Sequence, residues 1–279
     1  MGVKDEKSLA GATPGVWNQT ISAFLKDAME YLMEQEDLFG NIVYTTKKGL
    51  SHRPKPAEQL ALIKEPWVAA ETLDDLYSMT KDCLKCPLGA TRTHFVFGVG
   101  NPHADVMFIG EAPGFDEDMQ GEPFVGRAGQ LLNKILEAVH LRREDVYIAN
   151  ILKCRPPGNR DPLLSEMETC TPYLLKQIEL IRPKIIIALG RIAAQALLHT
   201  NESLTELREK VYDFNGIKVL VTYHPAALLR NPGWKRPAWE DMKKFRKLYD
   251  QILESARAGG KSKPDETGPH LPDKHSVKS

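Results

Sequence analysis

The chain has 279 residues, enough for one large domain with appendages, and its 37 basic residues are matched by 37 acidic ones. That balance excludes a protein held to nucleic acid by overall charge, so any basic surface must be local. No apolar run approaches the roughly 20 residues of a membrane helix, and the opening MGVKDEKSLAGATPG has no apolar secretory segment; a cytoplasmic protein with reduced thiols and no membrane partner is expected.

Taken in chain order, residues 16–36 put Ile21, Phe24, Leu25, Ala28, Met29 and Leu32 at the spacing of an amphipathic helix. Residues 47–58, with Lys47, Lys48, His52, Arg53, Lys55 and two prolines, read as a basic linker. Together they form an N-terminal extension, residues 1–70, with room for an unidentified protein partner. The periodic part, residues 71–256, opens with a helix around Leu73 to Met79. Strands are then expected at Asp105–Ile109, Val146–Ala149, Lys184–Leu189 and Val219–Thr222. Helices are expected between and after them, at 128–139, 163–181, 191–198 and 239–254. Short apolar strands alternating with helices imply an α/β fold, a three-layer αβα sandwich around a mostly parallel four-stranded sheet. The end, residues 257–279, is rich in Gly, Pro, Lys and Ser and reads as a disordered tail.

Ligands of such sheets sit beyond the carboxyl ends of the strands. Three loops leave those ends: Gly110–Gly129, Asn150–Pro162 and Tyr223–Gly233. The first is far longer than the usual connection of about 2–6 residues, and long loops at strand ends are where binding groups concentrate.

Cys83 and Cys86 form a C-x-x-C pair, and Cys154 and Cys170 follow downstream, so all four cysteines of the chain stand in metal-ligand positions. A structural zinc ion and an iron–sulfur cubane both take four thiolates, and spacing leaves that choice open. Two other motifs fail. Gly121-Glu-Pro-Phe-Val-Gly126 has phosphate-loop glycines but continues with Arg127 and Ala128 instead of Lys and Ser or Thr. Gly98-Val-Gly100 begins a dinucleotide fingerprint, yet it precedes the strand and has His103 at the third glycine.

Three stretches remain: GEAPGFDED from Gly110 with Phe124 after it, NILKCRPPGNR from Asn150, and HPAALLRNP from His224. With the cysteines they resemble family 4 of the uracil-DNA glycosylases, the branch that carries an iron–sulfur cluster, over roughly residues 75–255. The resemblance implies a monomeric, monofunctional enzyme of base excision repair acting on uracil-containing DNA, single- or double-stranded. It also implies a 4Fe–4S cluster on Cys83, Cys86, Cys154 and Cys170. In that reading the nucleotide leaves the stack for a closed pocket. Phe124 is the face on which the base stacks, Asn150 reads its edge, and Glu117 lies against C5 to exclude thymine. Gly110, Ala112 and Gly114 line the pocket with backbone, and His224 donates to uracil O2 as negative charge builds. Glu111 orients or deprotonates water, or acts through its charge; the better-known branch has an aspartate where this chain has Ala112. Leu228 and Leu229 fill the gap left by the base, while Arg155, Arg160 and Arg230 meet phosphates. The rivals are a superfamily enzyme for another deaminated base, covalent capture of the abasic sugar, and a zinc-stabilised non-catalytic DNA-binding protein.

Overall fold

A computed structural model describes residues 60–259. The expected amphipathic helix at 16–36 and basic linker at 47–58 lie outside the described residues, as does the tail from residue 260. Helix α1 (Leu73–Thr80) starts on a reciprocal cap: Thr72 Oγ1 accepts from Asp75 N at 3.0 Å while Asp75 Oδ2 accepts from Thr72 N at 3.2 Å. The short α2 (Leu88–Thr91) follows the C-x-x-C turn.

The sheet then assembles from β1 (Val99–Gly100), β2 (Val106–Gly110), β3 (Tyr147–Asn150), β4 (Ile185–Leu189), β5 (Val211–Phe214) and β6 (Ile217–Thr222), in the order β1-β3-β2-β4-β6-β5. The four central strands are parallel, as expected, and every residue of β2, β3 and β4 is buried. Two antiparallel edge strands extend the four-stranded expectation to six. β1 is two residues long, too short for any periodicity to register. β5 and β6 form a hairpin across Asn215-Gly216, both with positive φ (54° and 89°), the pairing that a tight two-residue turn demands.

Helices cover both faces. α3 (Phe115–Gln120) and α4 (Arg127–Ala138) lie between β2 and β3, α5 (Leu164–Ile181) between β3 and β4, α6 (Arg191–Leu198) and α7 (Leu204–Leu207) between β4 and β5, and α8 (Pro225–Arg230) and α9 (Lys235–Gly259) follow β6. The last continues into the first residues of the expected tail. Alternate residues of each strand serve opposite cores. Met107, Ile109, Ala149, Ile186 and Val219 pack with Tyr173, Leu174 and Ile178 of α5. Val106, Phe108, Ile148, Ile187 and Leu220 pack with Leu132 and Leu136 of α4 and Met242 and Phe245 of α9. Cys154 and Cys170 belong to the first core and Phe124 to the second, so the sulfurs and the aromatic lie on opposite sides of the sheet. No helix among the described residues is long and apolar enough to cross a membrane.

Candidate active site

Three strand ends supply the site. Gly110 and Asn150 close β2 and β3 as Cα partners, and β6 ends at Thr222, two residues before His224. In-register neighbours of a parallel pair point to the same face, so the absence of a side chain at Gly110 lets the Asn150 amide and the Phe124 ring close in over it. A Cβ there would stand 2.4 Å from Asn150 Oδ1 and 2.6 Å from Phe124 Cζ. The same spot is therefore walled by the amide and the aromatic ring. The imidazole of His224 faces that ring, with centroids 5.4 Å apart and planes inclined by 32°. Phe124, Asn150 and His224, distant in sequence, thus converge at one place.

The long loop after β2 is held by its own carboxylates. Glu117 Oε1 accepts from the N–H groups of Val125 (2.9 Å) and Gly126 (3.0 Å), and Oε2 accepts from Gly114 N (3.1 Å). Glu117 thereby fixes both ends of the segment that presents Phe124, and the Gly114 N–H is committed to it. Asp118, buried beside it, accepts from the N–H groups of Thr93 (2.9 Å) and His94 (3.3 Å). Phe124 itself has φ of 54°, a left-handed conformation rare for a bulky residue. Arg143 holds it there, donating to the carbonyls of Phe124 (3.2 Å) and Pro123. Gly129 makes room, since a Cβ there would lie 1.8 Å from the Phe124 carbonyl oxygen. Strain of this kind persists only where the surroundings enforce it, and it gathers at functional sites.

Asn150 is 2% exposed, and its Oδ1 has no hydrogen-bond partner; among the described residues, only one other buried side-chain atom, Tyr212 Oη on an edge strand, shares that condition. A buried acceptor left without a donor costs about 1–3 kcal/mol. Behind Asn150 the polar groups are satisfied. Lys153, fully buried, donates through Nζ to the Asn150 carbonyl (2.9 Å) and to Gln177 Oε1 (2.6 Å). Gln177 Nε2 in turn donates to the Phe97 carbonyl (3.0 Å) and the Tyr147 hydroxyl (3.3 Å). The orphaned oxygen thus lies on the opposite side from this network, against Gly110 and Phe124.

His224 caps α8: its Nδ1 accepts from Ala226 N at 3.2 Å. With Nδ1 an acceptor, the ring proton of the neutral form sits on Nε2. Burial, and then the charge of Arg230, pull the imidazole down to about 4, so it is neutral across the physiological range. The preceding Tyr223 is fixed by a buried ion pair. Arg208 Nε and Nη2 donate to Asp241 at 2.8 and 3.0 Å, its Nη1 donates to Tyr223 Oη at 3.0 Å, and Thr222 Oγ1 donates to Asp241 at 2.7 Å. The end of β6, the segment after α7 and the last helix are locked together where His224 begins.

Glu111 is half-buried. Desolvation, then the charge of Asp161, push its carboxyl up to about 7 against the opposing charges of Arg191 and Arg230. Asp161 and Arg191 also pair with each other at 3.2 Å. Arg191 and Asp161, which sequence reasoning passed over, therefore belong to the electrostatics of the site. Ala112 packs against the core on the cysteine side.

The residues expected on DNA fall into two sets. Arg230 is exposed at the end of α8, with Leu229 half-buried beside it. Arg155 lies over the ring of the exposed Phe115 at 5.1 Å and donates to Asn159 Oδ1 at 2.7 Å. Leu228, in contrast, is 2% exposed, in a helix that packs on α4; of the two leucines only Leu229 offers surface. Arg160 pairs bidentately with Glu166 at 2.9 and 2.6 Å, which commits its guanidinium to the start of α5.

The four cysteines gather on one core. Cys154 and Cys170 are buried, and Cys83 and Cys86 pack against the same cluster. Burial pushes the Cys154 thiol up to about 11 and that of Cys170 up to about 12. Three donors aim at the sulfurs: Arg92 Nη1 at Cys154 (3.4 Å), the Lys153 N–H at Cys170 (3.3 Å) and Tyr173 Oη at Cys83 (3.3 Å). Among the described residues no three His, Cys, Asp or Glu side chains are gathered tightly enough to share one ion. Four thiols, three of them accepting hydrogen bonds, form a donor set that fits a four-thiolate centre, a zinc ion or a cubane alike.

The family model of the uracil DNA glycosylase superfamily matches residues 97–243. A type-4 uracil-DNA glycosylase of Archaeoglobus fulgidus is 47% identical over 186 residues, covering 64% of this chain and 94% of its own. One from Thermotoga maritima is 44% identical over 178 residues, covering 62% and 93%. A type-5 uracil-DNA glycosylase of Pyrobaculum aerophilum is 33% identical over 151 residues, covering 48% and 66%.

Proposed function

The chain belongs to the uracil-DNA glycosylase superfamily, in its type-4 branch, and we propose that it hydrolyses the N-glycosidic bond of deoxyuridine in single- or double-stranded DNA and releases uracil. The observation that carries this reading is the orphaned Oδ1 of Asn150. It calls for an N–H on the ligand, and uracil N3–H supplies one, while the Asn150 amide N–H₂ donates to O4. Cytosine presents the reverse pattern at both positions, so an amide held in this orientation rejects it. Phe124 gives the base its stacking face, an interaction typically worth ~1–3 kcal/mol.

Chemistry follows from what surrounds that base. As the C1′–N1 bond breaks, its electron pair goes to the uracil ring and negative charge grows on O2. The Nε2–H of a neutral His224 is the donor for it. Water then adds to C1′ of the cation-like sugar and loses a proton, giving the abasic site. Glu111, its carboxyl raised to about 7 by burial, accepts that proton when ionised, or stabilises the sugar cation through its charge. Glu117 acts through the loop it fixes, setting how closely that loop can approach C5. Arg155, Leu229 and Arg230 face the DNA backbone and the gap left by the base; Arg160 and Leu228 support the loops that carry them.

Cys83, Cys86, Cys154 and Cys170 would hold a 4Fe–4S cluster, whose contribution to a hydrolysis is structural: it ties the Asn150 loop to the C-x-x-C turn. We take the unit to be residues 71–256, monomeric and cytoplasmic, with residues 1–70 as an extension for a further partner. The test is uracil release from a deoxyuridine oligonucleotide without magnesium. Asn150→Ala and His224→Ala should each lower the rate, the latter by about 10²–10³-fold, as for loss of one oxyanion donor. Wild-type rates in both variants would overturn the site. Cys154→Ser should remove visible absorbance and bound iron and sulfide; retention of one zinc instead would overturn the cluster.

A further inference from the structure

Beyond the pocket, one exposed feature is built for contact and is used by nothing above. Trp234 closes a single 3-10 turn, Pro232–Trp234, and its N–H donates to the Asn231 carbonyl at 3.0 Å. Its indole is 42% exposed, yet it does not swing freely: it stacks on Tyr223, centroids 5.1 Å apart and planes inclined by 22°. Tyr223 is itself rigid, because Arg208 stands 4.3 Å over its ring, donates to its hydroxyl and is locked to Asp241. The result is a pre-ordered aromatic stack with an open outer side, one residue from His224. Positive charge flanks it in the chain, with Arg230 at the end of α8 and Lys235 and Arg236 at the start of α9 all exposed.

We propose that the Trp234–Tyr223 stack is a second base-binding platform, which receives an unpaired nucleobase of the strand carrying the flipped deoxyuridine. The proposal rests on the glycosylase reading and adds a subsite to it. An indole offers its π-face to any base, so the platform is indifferent to sequence. The cations beside it suit the phosphates flanking that base. In duplex DNA the neighbouring bases are already stacked and paired, so the platform gains nothing there. It therefore favours single-stranded substrate.

The test compares wild type, Trp234→Ala and Trp234→Phe in the full chain on three substrates. These are a single strand with one deoxyuridine between thymidines, the same strand with tetrahydrofuran spacers in place of those thymidines, and the first strand annealed to its complement. On the first substrate, Trp234→Ala should raise KM roughly 5- to 150-fold, the factor for ~1–3 kcal/mol of stacking. That loss should fall on KM far more than on kcat, and Trp234→Phe should recover most of it. On the spacer and duplex substrates the ratio of variant to wild type should shrink toward unity. Equal effects on all three substrates, no effect on any, or a fall in kcat alone would overturn the platform and leave a merely structural tryptophan. A binding arm separates this from the parent reading. Titration with an all-thymidine single strand should quench indole emission in the wild type, and Trp234→Phe should lack the quenched component. If the wild type released no uracil the parent reading would fall, and the quenching would still decide the platform.

Discussion

Gly110→Ala is the sharpest single probe of the pocket. Gly110 does not have the positive φ that would demand glycine, so only space is at stake. The added Cβ would meet Asn150 Oδ1 at 2.4 Å, Phe124 Cζ at 2.6 Å and Phe124 Cε2 at 2.8 Å, where ordinary contact begins at 3.4 Å. Amide and ring must each retreat by about 1 Å, and Phe124 has little slack because Arg143 clamps its carbonyl. Overpacking of this size costs about 1–3 kcal/mol of stability. At roughly 2–4 °C per kcal/mol for a domain of this length, Tm should fall by about 2–12 °C. A misplacement of about 1 Å costs far more in rate, on the order of 10²-fold. Single-turnover uracil release at saturating enzyme, beside a thermal melt, measures both. A Gly110→Ala protein with wild-type rate would refute the geometry outright. A rate that fell only in step with the folded fraction would refute the claim that this methyl group acts on recognition.

Other outcomes follow from neighbouring groups. Because the Glu111 carboxyl is pushed up to about 7, chiefly by burial, uracil release should rise with pH through that value, and Glu111→Gln should flatten the limb. The folded state holds this proton more tightly than the unfolded one, so wild-type stability falls between about pH 4.5 and 7 relative to Glu111→Gln; melts across that window check the sign. His224, held down to about 4, should add no second limb above pH 5. Lys153→Met strips the donor from the Asn150 carbonyl and Gln177 Oε1, each left unsatisfied at about 1–3 kcal/mol. It should lower both Tm and the rate, and Lys153→Met with Gln177→Leu should regain part of the Tm. Asp241→Leu leaves Arg208 buried without its partner and should cost about 3–5 kcal/mol in denaturant unfolding, largely recovered when Arg208→Leu is added.

Much of this was readable in the chain itself, and what was not has identifiable causes. The apolar runs at Val106–Ile109 and Ile185–Leu189 reveal the parallel centre because strands covered on both faces must be apolar at every position. Asn150, the last residue of β3, and His224, two residues past β6, were legible through the motifs that resemble the family. The hairpin of β5 and β6 had a signal, Asn215-Gly216, overshadowed by a short flanking strand with a single buried residue, Phe214. Arg208 and Asp241 had none: they meet across 33 residues of sequence through tertiary packing alone. Lys153 could have been flagged as a charge wedged between Leu152 and Cys154 in a motif where every neighbour is buried. That Arg160 turns to Glu166 and Leu228 turns inward depends on side-chain direction, which residue type does not encode.

On the proposed reading, the pairing of Gly110 with Asn150 makes the discrimination of uracil from cytosine a property of strand alignment and not of a mobile loop. A pleated ladder has a period of two, so alignments come in discrete steps, and an intermediate one would turn the carboxamide to the opposite face. Selectivity should therefore be lost all at once or not at all. Changes in the surrounding loops would alter how tightly DNA is gripped and how well thymine is excluded, while leaving the rejection of cytosine untouched.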